Sequence, residues 1–275
     1  MAMTPELLAY YEQDREDGRL RASRGRLEFW RTQDVLRRAL PPAPARVLDV
    51  GGGTGVHAEW LAADGYRVEL IDLMPSHVER AARLAGVTAR QGDARRLPLP
   101  DESVDAVLLL GPLYHLADRA DRVRALAEAA RVVRPGGLVA AATINRYAAV
   151  HDMVYQGLYL REEPRETANA ALADGILAGP GIGFNAYMHD PDDVPAEFAD
   201  AGLPEVTRYG LEGAFWLYGD VDDWLDDPER RALMLDAQRR LETVPSLLGV
   251  SGHVLTLASK APPPRLADEA VESPR

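Results

Sequence analysis

Arg46-Val47-Leu48-Asp49-Val50-Gly51-Gly52-Gly53-Thr54-Gly55-Val56-His57 is the most informative segment of the sequence, because an apolar run is followed by a glycine cluster and then by an amphipathic segment. This order is typical of a strand, a tight loop and a helix. Glycine is needed where the backbone has a positive φ or where a ligand must approach the main chain, and a helix that begins there offers free N–H groups. The stretch therefore predicts a loop that binds a nucleotide-like ligand.

The spacing of the glycines separates two kinds of nucleotide-binding loop. The nicotinamide dinucleotide fingerprint G-x-G-x-x-G, counted from Gly51 and Gly53, needs a third glycine at position 56, where valine stands. The residues present are Asp49, Gly51, Gly53 and Gly55, in the pattern D-x-G-x-G-x-G. This pattern resembles motif I of the class I S-adenosylmethionine (SAM)-dependent methyltransferases.

Three further segments resemble the same family, and they follow in the same order. Residues 66–72 predict a second strand that ends in Asp72, and residues 87–94 predict a third strand that ends in Gly92-Asp93-Ala94. Residues 104–110 form a continuous apolar run, typical of a buried parallel strand. A helical pattern over 120–133 then meets Arg134-Pro135-Gly136-Gly137, which predicts the end of a helix before a strand over 138–143.

The resemblance implies an α/β fold: a Rossmann-like, doubly wound, seven-stranded sheet whose last strand, over 253–259, is antiparallel to the others. The alternation of strands and helices by itself indicates a parallel sheet covered on both faces. SAM is the implied cofactor and S-adenosylhomocysteine (SAH) the product. In this family the acid after the second strand holds the ribose and the acid of the third segment meets the adenine amino group. The implied cofactor-binding residues are Asp49, Gly51, Gly53, Gly55, Asp72, Leu73, Asp93, Ala94, Leu110 and Tyr11.

The length of 275 residues allows one large core, and the unbroken motif order predicts one catalytic domain over 44–260. The resemblance implies that residues 1–43 form a helical lid over the cofactor, to which Tyr10, Tyr11, Arg24 and Trp30 could contribute; packing of an amphipathic helix is the alternative. Inserts over about 146–190 and 211–250 are predicted to form the acceptor pocket. Residues 261–275 are rich in proline and charge and are predicted to be disordered.

Composition narrows the chemistry and the partners. The absence of cysteine excludes iron–sulfur radical SAM enzymes, thiolate zinc sites and cysteine-nucleophile methylation, and no metal is predicted. The net charge of −12 makes nucleic acid an unfavourable partner and favours a small-molecule acceptor. The arginines of residues 15–38 alternate with acids, which is typical of an ion-paired helix face. No long apolar run is present, which predicts a cytoplasmic protein without a membrane partner.

The catalytic residues are less constrained by the sequence. Methyl transfer is an in-line displacement, so a base is needed only where the acceptor loses a proton. His115 follows the fourth strand and is the first candidate base; Tyr187 and His189 come next, together with Tyr114. His57 is expected to be structural. The end of the fourth strand lacks the Asn or Asp that enzymes methylating exocyclic DNA amines carry there. The chain more closely resembles the small-molecule methyltransferases of quinone and secondary-metabolite pathways.

Two other functions remain open from the sequence alone. One is a tRNA-modifying methyltransferase, which would use the arginine-rich start of the chain. The other is a non-catalytic SAM-binding partner protein, because a glycine loop with two acids indicates binding and not turnover. The sequence does not identify the acceptor, the atom that is methylated or the oligomeric state.

Overall fold

The computed structural model describes residues 15–179 and 185–262. Its central sheet has seven strands: β1 Arg46–Val50, β2 Arg67–Asp72, β3 Val87–Gln91, β4 Val104–Leu109, β5 Val133–Ile144, β8 Val206–Gly210 and β9 His253–Ser259. Two short strands, β6 Ile176–Leu177 and β7 Ala186–Tyr187, form a separate antiparallel pair. The strand order is β3-β2-β1-β4-β5-β9-β8, and β9 is antiparallel to both of its neighbours. The predicted doubly wound sheet with an antiparallel last strand is confirmed.

Eleven α-helices surround the sheet within the described residues. Their bounds are α1 Arg15–Arg21, α2 Gly25–Ala39, α3 Val56–Ala63, α4 Pro75–Ala81, α5 Pro112–His115, α6 Arg119–Val132, α7 Ala148–Tyr155, α8 Glu162–Asp174, α9 Val194–Asp200, α10 Val221–Asp226 and α11 Pro228–Leu241. Three short 3₁₀ segments cover Leu158–Leu160, Phe215–Leu217 and Pro245–Val250. Helices follow β1, β2 and β4, as the alternating sequence pattern predicts.

The strands carry apolar side chains on both faces, because helices cover the sheet on both sides. Leu109 and Val139 belong to a buried cluster that includes Phe198 of α9. The neighbouring positions Leu108 and Ala140 point to the opposite face, into a second cluster that includes Leu36 of α2 and Leu61 of α3. This period of two explains why the strands read as continuous apolar runs in the sequence.

The register of the parallel strands brings their carboxyl ends to one edge of the sheet. Val50 lies opposite Ile71 and Asp72 lies opposite Gln91, so the segments that follow β1, β2 and β3 begin at the same edge of the sheet. Leu109 at the end of β4 pairs with Ala141. In open parallel sheets, ligands bind in the crevice outside this edge.

A third apolar cluster lies apart from the two sheet clusters. It joins Leu27 near the start of α2 to residues of the two predicted inserts: Ala148, Met188, Trp216, Leu225 and Met234 are among its members. Ala148 follows β5 directly, so the cluster begins at the carboxyl edge. The N-terminal helix and both inserted regions therefore pack together, as a common core beyond the end of β5.

The boundaries of two strands differ from the sequence prediction. The third strand ends at Gln91, and Gly92-Asp93-Ala94 lies in the turn that follows. β5 begins at Val133, so the segment 134–137 extends the strand instead of separating it from α6. The backbone N–H of Gly136 donates to the carbonyl of Lys260 and that of Lys260 to the carbonyl of Gly137, which joins this glycine pair to the chain after β9.

Some predictions fall wholly or partly outside the described residues. Tyr10 and Tyr11 precede the first described residue, and most of the predicted tail, 263–275, follows the last one. The division into a lid over 1–43 and a catalytic domain over 44–260 stays a prediction. No helix within 15–179 or 185–262 is long and apolar enough to cross a membrane.

Candidate functional site

The glycine loop adopts the backbone that its sequence predicts. Gly51, Gly53 and Gly55 have φ angles of 67°, 58° and 97°. A Cβ atom on Gly51 would lie 2.8 Å from Pro112, and one on Gly55 would lie 2.4 Å from Leu84. At Gly53 no atom stands within 4 Å of the Cβ position. Two of these glycines are therefore needed for close packing, and Gly53 faces open space.

Asp72 joins the glycine loop to the end of β2. Its Oδ2 atom accepts a hydrogen bond of 2.9 Å from the backbone N–H of Gly53, and its Oδ1 atom accepts one of 2.8 Å from Met74. The Nδ1 atom of His77 lies 3.1 Å from Oδ1. The carboxylate is buried. Asp72 therefore has a structural role in the loop in addition to its predicted contact with the ribose.

Asp49 lies directly beneath the loop. A Cβ atom on Gly52 would lie 2.5 Å from its Oδ2 atom. Asp49 is 1 % exposed, and neither carboxylate oxygen has a hydrogen-bond partner among the described residues. Burial, together with the charge of Asp72, raises the pKa of Asp49 to about 7. A buried carboxylate without a partner is costly, and a ligand that brings a cation or an N–H donor would relieve this cost.

Asp93 is already engaged in an ion pair. Arg95 donates to it from its backbone N–H at 2.9 Å and from Nε at 3.0 Å, and Arg95 also contacts Asp121 at 2.8 Å. The hydrogen bonds from Arg95 lower the pKa of Asp93, and burial opposes this effect. An adenine amino group would share the carboxylate with Arg95.

The other predicted cofactor residues lie at the same edge. Leu73, directly after β2, is 38 % exposed. Ala94 and Leu110 are half-buried and pack against opposite faces of the sheet. Together with the glycine loop, Asp72 and Asp93, they follow the carboxyl ends of four strands. The structure thus brings these predicted residues together along one edge.

The candidate base His115 lies in α5, the single helical turn after β4. It is half-buried, and its ring centroid is 4.5 Å from that of the buried Tyr114. The hydroxyl of Tyr114 lies 3.3 Å from the Cβ position on Gly111. α5 packs beside β7, which carries Tyr187. The structure therefore places His115 and Tyr187 in neighbouring elements.

His189 is placed deeper than the other candidates. It is 1 % exposed, and its Nε2 atom is 3.4 Å from Oε2 of Glu197. Burial lowers the pKa of His189, although the charge and hydrogen bond of Glu197 oppose this effect. The ring of His189 meets that of Tyr187 edge-on, with centroids 4.7 Å apart. His189 therefore packs behind Tyr187.

A buried ion pair that the sequence did not predict lies behind this site. Arg122 is 2 % exposed; it donates to Glu197 at 2.8 Å and to the carbonyls of Leu116 and Ala117 at 2.8 Å. Its guanidinium carbon stands 3.6 Å from the ring centroid of Tyr187. The sequence contains a signal for the burial of Arg122, because helical spacing places it on the same face as the apolar residues at 125, 126 and 129.

The arginine-rich N-terminal segment forms ion pairs with both inserted regions. Arg24 contacts Asp152 of α7 at 2.8 Å, and its guanidinium carbon lies 4.5 Å from the ring centroid of Tyr155. Arg26 contacts Asp222 of α10 at 2.8 Å. Trp30 was also predicted to contribute to the lid, and its ring centroid lies 4.5 Å from the guanidinium carbon of Arg231. These arginines are paired with acids, as expected for an ion-paired helix face.

His57 has the structural role that was expected. Its Nδ1 atom accepts a hydrogen bond of 3.2 Å from Nε1 of Trp60, and its ring centroid is 5.5 Å from that of Phe29 in α2. Burial lowers the pKa of His57 to about 4. The ring is therefore neutral at physiological pH and packs α2 against the start of α3.

Comparison with known proteins places this geometry in a family. The profile of the methyltransferase domain family matches residues 48–141. A demethylmenaquinone methyltransferase from Mycobacterium sp. (strain KMS) is 31% identical over 194 residues, which are 70% of this chain and 76% of the relative. A Mycobacterium tuberculosis (strain ATCC 25618 / H37Rv) protein named "Probable S-adenosylmethionine-dependent methyltransferase" is 31% identical over 191 residues, covering 64% of this chain and 69% of that protein.

A solved structure shows the same fold. It is a methyltransferase from Haloferax volcanii in complex with the Trm112 methyltransferase activator, with a TM-score of 0.59 and 21% identity over 92% of this chain and 97% of that chain.

A seven-stranded sheet of this order, with a glycine loop after β1 and an acid after β2, defines a nucleotide-binding α/β enzyme of the methyltransferase type. The chain belongs to the class I SAM-dependent methyltransferases. It is an enzyme, and SAM is its cofactor.

Proposed function

We propose that the enzyme transfers the methyl group of SAM to a small-molecule acceptor, which binds beyond the carboxyl ends of β4 and β5. The observation that carries this proposal is the third apolar cluster, in which the start of α2 and both inserts share one core next to that edge. This shared core holds α2 and both inserts next to the edge at which small ligands bind in open α/β sheets. The relative named for demethylmenaquinone supports a small molecule as the acceptor.

The cofactor is proposed to bind along the glycine loop and the ends of β2, β3 and β4. Gly53 offers open space next to the main chain, and Asp72 ends the strand where a ribose would lie. Asp49 offers a buried carboxylate without a partner. Gly51, Gly55, Leu73, Asp93, Ala94 and Leu110 complete the described part of the proposed site. Tyr11 stays a prediction outside the described residues.

SAM supplies a methyl group on a positively charged sulfur, so the protein must hold the acceptor atom close to it and in line. His115 and Tyr187 are proposed to line the acceptor side, because α5 and β7 lie together at the end of β4. Either side chain can take a proton if the acceptor loses one. The burial of His189 supports a role in positioning Tyr187 instead of a contact with the acceptor.

A ring of the quinone type is the first acceptor class to assay. The name of the Mycobacterium relative motivates this choice. Reduced quinones carry phenolic hydroxyls, and loss of a phenolic proton activates the ring for attack by carbon or oxygen. This chemistry would use a base such as His115.

A tRNA acceptor is the alternative that the charges disfavour. The net charge is −12, and the arginines of α2 that could form a basic stripe contact acids: Arg37 contacts Asp64 at 2.7 Å and Arg38 contacts Glu242 at 2.8 Å. Phosphate contacts would have to replace these ion pairs. The cytoplasmic location stays a prediction from the sequence.

The acceptor class is tested by incubating the enzyme with methyl-labelled SAM and cell extract, followed by separation of small molecules, RNA and protein. We expect the label in the small-molecule fraction. A matched incubation with the Asp72→Ala variant controls for other enzymes in the extract. Label that depends on the enzyme but appears in RNA would overturn the small-molecule proposal and leave the methyltransferase assignment intact.

A further inference from the structure

Four charged or titratable side chains meet where the N-terminal helices reach the sheet. They come from four segments: Arg19 of α1, Glu28 of α2, Glu212 after β8 and His253 at the start of β9. The Nδ1 atom of His253 is 2.6 Å from Oε1 of Glu212 and 3.5 Å from Oε2 of Glu28. Arg19 contacts the carboxylate of Glu28 at 2.5 Å and 3.2 Å. We call these four residues the edge cluster.

Glu212 is the fixed member of the edge cluster. It is 3 % exposed, and its Oε2 atom accepts hydrogen bonds from the Ser251 hydroxyl at 2.8 Å and from the His253 backbone N–H at 2.9 Å. Its other oxygen remains for the ring of His253. This arrangement places a proton on Nδ1, where it faces both Glu212 and Glu28.

The edge cluster lies on the ligand edge of the sheet. His253 is paired with Ile144, the last residue of β5. Glu28 is followed by Phe29, whose ring contacts His57, and His57 lies two residues after Gly55. Glu28 therefore connects α2 both to β9 and to the region just after the glycine loop.

The charges of the edge cluster balance only when His253 is protonated. Arg19 and the imidazolium then face two carboxylates. Burial lowers the pKa of His253, but the charges of Glu28 and Glu212 outweigh it and raise the pKa above its ordinary value. Burial likewise opposes ionisation of Glu212, yet His253 lowers its pKa. His57 of α3 also interacts with Glu28 and Arg19, and it is neutral because burial lowers its pKa to about 4.

A proton fits the edge cluster better than a metal ion does. Ligand atoms of Glu28, Glu212 and His253 lie within 4.8 Å of one another, as a metal site would require. However, the contact of 2.6 Å between Nδ1 and Oε1 is a hydrogen-bond distance, and Arg19 already neutralises Glu28. Metal binding would require the loss of both interactions.

We propose that His253 is a positioning residue for methyl transfer: the proton that it holds between Glu28 and Glu212 fixes α1 and α2 against the ligand edge and so controls retention of the cofactor. This inference rests on the proposed cofactor site at the glycine loop and on the predicted lid role of the N-terminal helices. When the proton leaves, the buried carboxylate of Glu212 and the half-buried carboxylate of Glu28 face one cation, and α2 loses its attraction to β9.

The direction of the pH effect follows from the raised pKa of His253. Its contribution to docking of the helices is complete below its ordinary value near 6.5 and is lost as pH rises through the higher folded value. The contribution of Glu212, whose pKa is lowered, is present above its ordinary value and is lost only in acid. Retention of the cofactor is therefore expected to weaken on the alkaline side.

The test measures SAH affinity and dissociation rate between pH 7 and 9, together with trypsin cleavage after the arginines of residues 15–26. In the wild-type protein, SAH affinity is expected to fall about tenfold as pH rises, the scale of one charge-assisted hydrogen bond, while cleavage becomes faster. His253→Gln should remove this slope and bind as weakly at pH 7 as the wild type does at pH 9. His253→Lys, which stays cationic at pH 9, should retain affinity there.

Asp200→Asn serves as the matched control, because it removes a carboxylate of an exposed ion pair between α9 and α6. Its SAH affinity should depend on pH as that of the wild type does. The proposal would be overturned if the SAH affinity of His253→Gln depended on pH as in the wild type. It would also be overturned if His253→Lys lost as much SAH affinity at alkaline pH as the wild type does. Loss of SAH affinity on treatment with EDTA would indicate that a metal ion, and not a proton, joins the edge cluster, and it would also overturn the proposal.

Failure of the proposed cofactor site has a different signature. In that case the wild type binds no SAH at any pH, while trypsin cleavage still reports whether His253 holds the helices. Circular dichroism and thermal unfolding of each variant exclude a global folding defect. Glu28→Gln provides a second test of the contact between α2 and β9, because it removes one of the two carboxylates that face the proton and leaves β9 unchanged.

Discussion

Asp49 carries a carboxyl group in a place where burial disfavours its charged form. It is buried beneath the glycine loop with no hydrogen-bond partner among the described residues, and its pKa is raised to about 7 by burial and by the charge of Asp72. A carboxyl group whose pKa is raised on folding contributes stability below its unfolded value, and this stability is lost as pH rises through the folded value. The unliganded protein therefore loses stability as Asp49 ionises towards pH 7.

We expect Asp49→Asn to raise the melting temperature of the unliganded protein at pH 8 and to weaken SAH binding at the same pH. The amide removes a charge that the fold does not compensate, but it also removes the charge that a cationic or N–H donor group of the ligand would meet. Calorimetry and thermal unfolding of the same samples measure both effects. An amide variant with lower stability and unchanged affinity would contradict this account of Asp49.

The second prediction at this scale concerns proton transfer. If His115 takes a proton from the acceptor, His115→Ala should lower turnover by roughly 10²–10⁴ and leave SAH affinity nearly unchanged, because the side chain acts on the acceptor and not on the cofactor. Tyr187→Phe is the matched variant, since it keeps the ring that packs on Arg122 and removes only the hydroxyl. Near-normal turnover in both variants would leave positioning of the acceptor as the main catalytic contribution.

The sequence predicts the glycine loop but not the edge cluster, for a physical reason. Gly51, Gly53 and Asp72 are determined by local backbone geometry and by the end of a strand, so their spacing carries the signal. Glu28, Glu212 and His253 meet only in the folded chain, and no local pattern connects them. Residues that depend on contacts between distant segments cannot be found from spacing alone.

Among the elements, α6 and α9 are joined by a buried ion pair in addition to their apolar contacts. Arg122 and Glu197 are both nearly inaccessible and share hydrogen bonds of 2.8–3.1 Å. Breaking such a pair by removing one charge costs about 3–5 kcal/mol, because the other charge remains buried. The contact also supports the ring of Tyr187 and the end of α5.

We therefore expect Glu197→Gln to lower the free energy of unfolding by several kcal/mol, on the scale of about 3–5 kcal/mol, as measured in urea. Arg119→Ala is the matched control: it breaks the exposed pair with Asp200 between the same two helices and should cost at most about 1 kcal/mol. Equal costs for the two variants would show that Arg122 finds other partners when Glu197 is neutral.

The elements also show where local patterns mislead. The segment 134–137 follows the end of α6, as its local pattern predicts, yet β5 already begins at Val133 and continues through it, and hydrogen bonds to Lys260 join the glycine pair to the chain after β9. Position 137 requires glycine for another reason, since a Cβ there would lie 2.6 Å from the carbonyl oxygen of Asp105. In contrast, the last strand was placed at its observed bounds, because its apolar run has clear ends.

For the whole molecule, cofactor binding should connect segments that are far apart in the chain. The proposed site uses the ends of four strands, so only the folded state presents it. SAH at about 100 times its dissociation constant should then stabilise the protein by about 2.7 kcal/mol. NAD at the same concentration should have no effect, because the third glycine of its fingerprint is absent. A shift in melting temperature with NAD equal to that with SAH would contradict the assignment of the loop.

The contacts of the N-terminal helices also affect how the chain is made. Arg26 pairs with Asp222 and Asp226, about 200 positions further along the chain, and Ser23 bonds to Asp222 at 3.0 Å. At a synthesis rate of about 5–20 residues per second, these partners leave the ribosome roughly 10–40 s after α2. The segments β1 to β4 can pair during this interval, while the start of α2 still exposes Leu27 and its neighbours. We therefore expect β1 to β4 to pair before the start of α2 finds its partners, so that the apolar side chains there stay exposed until α10 has been synthesised.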